Sequence, residues 1–360
     1  MPLDDNPRGD DLTTVRPLCE PWRHPLLGRL ASRIVMSAMT RSKAGPEHVA
    51  TPAMVAYYAK RARHGVGLIL TESTAISPEA DGFPTAPRIH TPTQVNSWRP
   101  VTEEVHGAGA PIFCQLIHCG RISQAEYTDG AQPVSSTDRA AAGINHRNGK
   151  PYDTPRRLAA SELPVIHELY RRAAHGALSA GFDGVELHLA HGYLADQFLD
   201  SRVNDRIDAY GGSIENRCRF ALELVEHLVK DCGAARIMVR ISPSRWMDGI
   251  YDWPDLHSML EYIIPAFDAA GLRLLDVSCA RADYYETSGR VIRMIRPLWP
   301  HFLIGGASLS PKQAQMELDA GLLDMVTYGR LLIANFDLVE RVRKGRQLHA
   351  FSNALLETLE

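Results

Sequence analysis

The sequence lacks the segments that mark a membrane or secreted protein. No uninterrupted apolar run reaches the roughly 18 residues of a membrane-spanning helix, and the polar amino terminus has no apolar stretch behind a basic start. The six cysteines are scattered without a CxxC pair, and a chain of 360 residues does not need disulfide cross-links. We therefore expect a cytoplasmic protein with reduced, mostly buried thiols. A redox or metal role for Cys114 and Cys119 would rest on their spacing alone.

Runs of basic residues are also missing. The formal net charge of -3 gives no general attraction to phosphate backbones or anionic lipids. Nucleic acid and membrane surfaces are therefore not expected as partners. Hydrophobic residues make up 45% of the chain and charged residues 22%, which is the balance of a globular protein with a sizeable core.

Short apolar segments recur along the chain, each followed by a helical pattern. The strand candidates are 34–39, 67–73, 111–117, 184–188, 237–241, 274–278, 302–306 and 325–328, and the helix candidates are 52–64, 93–108, 166–180, 213–231, 255–270 and 311–320. The strands are nearly continuous in hydrophobicity, as buried parallel strands are. Eight units favour a single-domain (β/α)8 TIM barrel. An open doubly wound sheet is the alternative, because alternation of strands and helices does not distinguish the two.

The barrel is expected to span residues 17–345, with a flexible N-terminal segment at 1–16 and a C-terminal tail at 346–360. One segment, 119–164, interrupts the pattern after the third strand and is polar and rich in Gly, Pro, Asp and Arg. Long insertions after barrel strands usually form lids or binding loops. We interpret this segment as a lid, with surface disorder as the alternative.

Residues suited to chemistry follow the predicted strands at the end where barrels place their active sites. They are Thr40, Ser73, Gln115, His118, His188, His191, Arg240, Gly305, Gly306, Gly329 and Arg330. Each alone has an ordinary structural explanation, so the argument rests on their concentration at one rim. Backbone N–H groups after the last two strands, together with Arg330, lie where many barrels bind phosphate, which implies a phosphate-bearing cofactor.

The run ELHLAHGY at 186–193 places two imidazoles three residues apart, with a phenol beyond Gly192. Two neutral imidazole N–H groups can together hold a developing oxyanion, and Tyr193 would be a nearby proton donor. A metal site completed by Glu186 or Asp183 is the less favoured alternative. The polar run 204–217 is predicted to be a capped loop with a structural role.

With these motifs the chain resembles the Old Yellow Enzyme flavoproteins from about residue 17 to residue 345. The similarity is carried by RIVMSAMTRSKA, QLIHCGR, GFDGVELHLAHGYLADQFLDSRVNDRIDAYGGSIENRCRF, VRISPS and VTYGRLLIANFDLV. It implies bound FMN, with NADPH or NADH as the electron donor. FMN fits better than FAD because the chain has no GxGxxG dinucleotide module.

The resemblance also implies a role for each matching position. Thr40, beside Ala38 and Met39, would bind the flavin O4, and Ser73 would approach the ring. Gln115 and Arg240 would hold its pyrimidine edge, while Gly305, Gly306, Gly329 and Arg330 would hold the phosphate. His188 and His191 would bind the electron-withdrawing group of the substrate, and Tyr193 would donate the proton.

The implied activity is the reduction of activated C=C bonds in α,β-unsaturated carbonyl or nitro compounds, by a ping-pong mechanism. A desaturase, isomerase or nitrate-ester reductase of the same family is an alternative, and a flavin-free lyase, isomerase or ligand-binding barrel is another. Ile117 replaces a common aromatic and should reshape the substrate pocket. The tail HAFSNALLETLE lacks the Tyr-rich pattern of many relatives. Arg88 is interpreted as a solvated surface arginine, with a positive group near the entrance of the site as the alternative. Exposed barrel helices also make a homodimer an expectation.

Overall fold

Eight parallel strands close into a ring in the computed structural model of the chain, which describes residues 16–279 and 282–359. The barrel strands are β1 (Ile34–Met36), β2 (Leu68–Leu70), β3 (Ile112–Ile117), β4 (Gly184–His188), β5 (Ile237–Arg240), β6 (Leu274–Ser278), β7 (Phe302–Gly306) and β8 (Met325–Tyr328). Each strand pairs with the next in chain order, and β8 pairs with β1 through Tyr328 and Met36. This closure confirms the predicted (β/α)8 barrel and excludes the open sheet.

Helices connect the strands on the outside of the barrel. They are α1 (Pro52–Arg63), α2 (Pro92–Gly107), α3 (Leu163–Ser179), α4 (Ile214–Cys232), α5 (Leu256–Ala269), α6 (Ser288–Ile295) and α7 (Pro311–Asp319). Shorter helices cover Arg16–Cys19, Leu194–Leu199, Arg330–Ala334 and Leu338–Arg343. All six predicted helices are present, and the side chains of Ser213 and Ser310 cap α4 and α7 as expected. The sequence missed α6, whose two turns are too short for a clear helical period.

Side chains that point into the barrel are apolar near the amino ends of the strands, here called the lower end, and polar near the carboxyl ends, here called the upper end. Alternate residues of a strand face the same side, and the lower inward set includes Val35, Leu68, Leu70, Phe113, Met238, Leu274, Phe302, Ile304 and Met325. Nearer the carboxyl ends of the strands the inward positions are held by Ser37, Gln115, Glu186, Arg240, Asp276 and Thr327, all of them buried. The strands are therefore less continuously hydrophobic than the sequence analysis predicted, because their inward residues at the upper end are polar and lie directly beneath the predicted active face.

A two-stranded hairpin, Trp22–His24 with Gly28–Leu30, covers the lower end of the barrel. Trp22 stacks on Phe302 with 6.4 Å between ring centroids, and Leu30 joins the interior cluster. The hairpin closes the end opposite the predicted active face. Among the described residues, no helix is both long and apolar enough to cross a bilayer.

The segment 119–164 contains short paired strands. Val134–Ser135 runs parallel to Arg156–Arg157, and Ile144–Asn145 forms a hairpin with Lys150–Pro151. Gln124 holds the hairpin, since its Nε2 donates to Pro151 O at 2.7 Å and its Oε1 accepts from Asn145 Nδ2 at 2.9 Å. Two smaller strand pairings lie nearby, Ser244–Trp246 with Ile250–Asp252 and Thr74–Ala75 with the upper end of β3.

Candidate active site

The carboxyl ends of the strands bring the predicted site residues to one face of the barrel. Ala38, Met39 and Thr40 follow β1, Ser73 follows β2, Gln115 and Ile117 lie in β3, His188, His191 and Tyr193 lie at and after β4, Arg240 ends β5, Gly305 and Gly306 end β7, and Gly329 and Arg330 follow β8. Direct contacts join some of them. The Ser73 hydroxyl donates to Gln115 Oε1 at 2.6 Å, and Met39 lies against Gly329.

The segment that carries Thr40 is held by a buried glutamate that sequence reasoning did not single out. The backbone N–H groups of Arg41 and Ser42 donate to Glu72 Oε2 at 3.0 and 3.1 Å. Burial raises the pKa of Glu72 from 4.5 to about 7, although these donors favour the ionised form. Glu72 therefore changes charge near neutral pH at the base of the rim.

We expect Glu72→Gln to flatten the pH dependence of stability. The pKa of Glu72 is about 7 in the folded protein and 4.5 in the unfolded chain. Its contribution to the free energy of unfolding is therefore complete below pH 4.5 and is lost as the pH rises through about 7. The loss amounts to on the order of 3 kcal/mol. Urea unfolding of wild type and variant at about pH 5 and about pH 8 measures the difference. The exposed Glu103→Gln is the control, and a variant profile as steep as that of the wild type would contradict this role.

The loop after β4 places two imidazoles and a phenol together. His191 and Gly192 both adopt left-handed backbone conformations, with φ of 58° and 79°, and so fold the chain sharply after the strand. The His191 N–H donates to Ser242 Oγ at 2.8 Å, and the Gly192 N–H donates to Asp196 Oδ2 at 2.6 Å. The ring centroids of His188 and His191 are then 5.2 Å apart, and those of His188 and Tyr193 are 4.9 Å apart.

Both imidazoles are neutral at physiological pH. Burial, followed by the positive charge of Arg240, lowers the pKa of His188 and of His191 well below the usual range. His188 Nδ1 and His191 Nε2 are buried and have no hydrogen-bond partner among the described residues. A buried polar atom without a hydrogen-bond partner destabilises the fold unless a ligand provides that partner. The geometry thus offers two polar ring atoms to a bound group.

Tyr193 is held in its protonated form. Burial raises its pKa to about 12, and the positive charge of Arg147 opposes that rise. Arg147 lies in the turn of the hairpin in 119–164, and its guanidinium stacks on the Phe83 ring at 3.6 Å. One residue of the insertion therefore reaches the neighbourhood of the predicted proton donor, and its long-range position could not be read from the sequence.

Glycines at the ends of β7 and β8 allow close backbone approach. A side chain at Gly306 would overlap the carbonyl and hydroxyl oxygens of Thr327, and one at Gly329 would overlap the sulfur of Met39. Arg330 begins the short helix after β8 and lies over the Phe351 ring at 5.7 Å. This part of the rim places glycine backbone beside an arginine, which suits a phosphate.

The upper inward layer contains two acidic residues that the sequence analysis did not place in the site. Gln115 Nε2 donates to Glu186 Oε2 at 2.5 Å, and Arg240 Nε lies 3.5 Å from Asp276 Oδ2. In the sequence analysis Glu186 was considered only as a possible metal ligand, and Asp276 was not considered. The signal that would have found both is their strand position, since each shares the inward face with Gln115 or Arg240.

The structure corrects one sequence prediction, the metal site with Asp183, and gives the surroundings of several other residues considered there. Asp183 precedes β4 at the lower end of the barrel, where its carboxylate accepts from Ile112 N–H at 2.8 Å, so it cannot complete a metal site with the histidines. His118 is buried, and burial lowers its pKa to about 3. The run 204–217 is a structural loop that leads into α4 at Ile214, and Asn204 Nδ2 in this loop donates to Phe198 O and Tyr210 O at 2.7 Å each. The six cysteines are free thiols, and all but Cys232 are buried.

Arg88 is not a solvated surface residue. It is 4% exposed, and its guanidinium pairs with Asp81 at 2.9 Å and with Asp129 at 3.0 Å. Because Asp129 belongs to 119–164, this buried pairing fastens the insertion to the loop after β2. Ser123 adds a hydrogen bond to Asp81 O at 2.6 Å. The interpretation as a surface arginine was wrong because the two carboxylates lie on separate segments of the chain.

The C-terminal tail returns to the rim without the Tyr-rich pattern. Arg41 Nη2 donates to Leu355 O at 2.8 Å and to Thr358 O at 2.5 Å. Arg41 directly follows Thr40, so the tail is fixed beside the predicted flavin site through its backbone. These contacts need no particular side chain, which is why the sequence of the tail did not predict them.

The residues at the rim fit a flavin mononucleotide. Gln115 and Arg240 place buried N–H donors together, and among the described residues Arg240 Nε has no hydrogen bond beyond its 3.5 Å ion pair with Asp276. The glycine backbone at the ends of β7 and β8 lies beside Arg330. Such a set combines donors for a polar ring edge with a backbone cradle for an anion. Together with the barrel it defines the class of FMN-dependent barrel oxidoreductases.

Comparison with known proteins gives the family. The sequence profile of the NADH:flavin oxidoreductase / NADH oxidase family matches residues 27–349. The chain is 38% identical over 371 residues to 12-oxophytodienoate reductase 7 of Oryza sativa subsp. japonica, covering 97% of this chain and 93% of the relative. It is also 38% identical over 336 residues to a probable flavin mononucleotide-dependent alkene reductase of Leishmania infantum, covering 90% and 91%.

Solved structures agree with the sequence comparison. The old yellow enzyme homologue from Zymomonas mobilis has a TM-score of 0.88 and 34% identity, covering 94% of this chain and 96% of its own. Morphinone reductase in complex with tetrahydroNAD has a TM-score of 0.84 and 35% identity, covering 94% and 93%. The chain belongs to the Old Yellow Enzyme family and is an enzyme that binds FMN and takes electrons from NADH or NADPH. The flavin-free alternative is thereby removed.

Proposed function

We propose that this enzyme reduces the C=C bond of α,β-unsaturated carbonyl or nitro compounds by a ping-pong mechanism. The observation that carries the proposal is the cluster of His188, His191 and Tyr193, in which two neutral imidazoles with partner-free ring nitrogens lie beside a protonated phenol. When bound, FMN supplies the redox chemistry, accepting a hydride from NADH or NADPH and passing it to the substrate. The names of the rice and Leishmania relatives, both reductases, support this direction.

In this proposal the imidazoles bind the electron-withdrawing group of the substrate. Negative charge grows on a carbonyl or nitro oxygen as the β-carbon accepts the hydride, so hydrogen bonds from His188 and His191 strengthen in the transition state. The low pKa values of both rings keep them neutral, which leaves one N–H donor on each. Their tautomers would have to place that N–H toward the substrate.

Tyr193 donates the proton to the α-carbon. Its raised pKa keeps the phenol protonated through the neutral range, so it can act as a general acid without a pH-dependent loss there. The roles proposed for the remaining positions follow their places on the rim. Gln115 and Arg240 hold the pyrimidine edge of the flavin, Ala38, Met39, Thr40 and Ser73 contact its ring, Gly305, Gly306, Gly329 and Arg330 hold its phosphate, and Ile117 shapes the substrate pocket.

Tyr193→Phe tests the proton-donor role. We expect the oxidation of the reduced enzyme by 2-cyclohexenone to slow by roughly 10²-fold, because hydride transfer would lack a matched proton source. Stopped-flow spectroscopy of the two half-reactions measures this, since reduction by NADPH requires no proton from Tyr193. The matched control is Tyr262→Phe on the outer helix α5, which should leave both rates unchanged. An unaltered enone rate with full FMN content would show that another group supplies the proton.

A further inference from the structure

Two buried carboxyl groups lie inside the barrel beneath the rim, and the proposed reaction uses neither. Glu186 in β4 and Asp276 in β6 are both 0% exposed. They lie within hydrogen-bonding reach of each other, and Arg240 in β5 acts on both. Two carboxylates in contact repel each other, and burial adds to the cost of ionising both.

Each carboxyl group has one oxygen that accepts a hydrogen bond and one that does not. Glu186 Oε2 accepts from Gln115 Nε2 at 2.5 Å, and Asp276 Oδ1 accepts from the Ser278 hydroxyl. The other oxygens, Glu186 Oε1 and Asp276 Oδ2, accept no hydrogen bond among the described residues, although Asp276 Oδ2 forms a 3.5 Å ion pair with Arg240 Nε. One proton on either group would convert that group into a donor toward the other. A single proton is thus enough to join the two carboxyl groups by a hydrogen bond.

The charges around Glu186 and Asp276 also favour one proton on the pair. The groups that face the pair from the neighbouring strands are Gln115 on β3, His188 on β4, Arg240 on β5, Ser278 on β6, Thr327 on β8 and Ser37 on β1. His188 is neutral, because burial and Arg240 lower its pKa well below the usual range. Arg240 is therefore the charged neighbour, and one ionised carboxylate is enough to balance it. A second would leave a buried net negative charge.

We propose that Glu186 and Asp276 share one proton and serve as positioning residues for the flavin, by holding Gln115 and Arg240. Glu186 fixes the amide of Gln115, whose Oε1 accepts from Ser73 at 2.6 Å, and Asp276 lies 3.5 Å from the guanidinium of Arg240. The shared proton stands on the contacts within the barrel. The positioning role additionally rests on the flavin contacts proposed above for Gln115 and Arg240.

The shared proton is tested on the apoprotein by infrared difference spectroscopy at neutral pH. We expect a deuterium-sensitive C=O band of a protonated carboxyl group in the wild type, and its loss in Glu186→Gln and in Asp276→Asn. Loss is expected in either variant because removing one carboxyl group leaves the other ionised against Arg240. Glu72, which follows β2 and whose pKa burial raises to about 7, contributes a carboxyl band of its own at neutral pH. Glu72→Gln removes that contribution and should retain the band of the pair. Persistence of the band in both single variants when each also carries Glu72→Gln, or absence of a carboxyl band from Glu72→Gln alone, would overturn the shared proton.

The positioning role is tested by the midpoint potential of bound FMN. Each single variant keeps one carboxylate beside Arg240, so each potential should stay close to the wild-type value. The double variant Glu186→Gln/Asp276→Asn removes the last negative charge and should shift the potential in the positive direction by more than the sum of the single shifts. Equal shifts in the two single variants that add in the double variant would show two ionised carboxylates. An unshifted double variant would contradict the positioning role.

These measurements separate the inference from the proposed function. The infrared result does not require flavin or substrate, and the potential does not require reduction of an alkene. If the enzyme failed to reduce any enone, both tests would still decide the inference. If the double variant failed to fold, the wild type and the two single variants would still decide the proton count.

Discussion

Replacing both His188 and His191 by alanine is expected to slow reoxidation of the reduced enzyme by 2-cyclohexenone by about 10³-fold or more, because loss of a single oxyanion donor costs roughly 10²–10³-fold. The two rings lie at the end of β4 and in the loop after it, with centroids 5.2 Å apart. Their loss removes both proposed donors to the oxygen on which charge develops. FMN should remain bound, since neither ring is assigned to its phosphate.

The measurement is a stopped-flow experiment with enzyme reduced by dithionite, so that binding of the nicotinamide donor does not enter the result. His175→Ala is the control, because His175 lies exposed on the outer helix α3. A double variant that is reoxidised at the wild-type rate, with its visible FMN spectrum intact, would exclude the oxyanion role. The two single variants would then show how the effect divides between the rings.

Gly306→Ala is expected to weaken FMN binding by on the order of tenfold or more, which corresponds to about 1.4 kcal/mol or more. An added Cβ would overlap the carbonyl and hydroxyl oxygens of Thr327 on the neighbouring strand β8. Strand β7 or β8 must then shift at the point where the proposed phosphate site begins. Overpacking of this kind should also lower the free energy of unfolding by about 1–3 kcal/mol.

Fluorescence titration of the apoprotein with FMN and urea unfolding measure these two effects. Gly107→Ala at the end of α2 is the matched control, because an added Cβ there meets no atom within 4 Å. That change should leave FMN affinity unaltered. If Gly306→Ala bound FMN as tightly as the wild type, close backbone approach at the end of β7 would not be needed for the cofactor.

The barrel could be predicted from the sequence because its strands and helices carry local signals. Each strand is a short apolar run, and glycines follow three helices at positions 181, 271 and 321, where the backbone adopts positive φ values of 95°, 84° and 67°. Helix α6 was missed because two turns give too few residues for a clear period. The side of the barrel on which functional residues gather follows from topology, since the carboxyl ends of parallel strands meet at one face.

The remaining features depend on contacts between distant parts of the chain. Arg88 was misinterpreted because its partner Asp129 lies in the insertion, and Arg147 approaches Tyr193 only through the hairpin in that insertion. Glu186 and Asp276 are 90 residues apart, and their meeting follows from the closed ring and from the inward parity of β4 and β6. No local pattern in the sequence carries that information, although strand parity within a barrel predicts it once closure is known.

The central claim is that bound FMN carries electrons from a nicotinamide donor to an activated alkene. An anaerobic visible spectrum of the purified enzyme, recorded before and after NADPH and again after 2-cyclohexenone, tests it directly. We expect a flavin band that bleaches with the donor and returns with the enone. A band that bleaches but is restored by no activated alkene would contradict alkene reduction while leaving the FMN site in place.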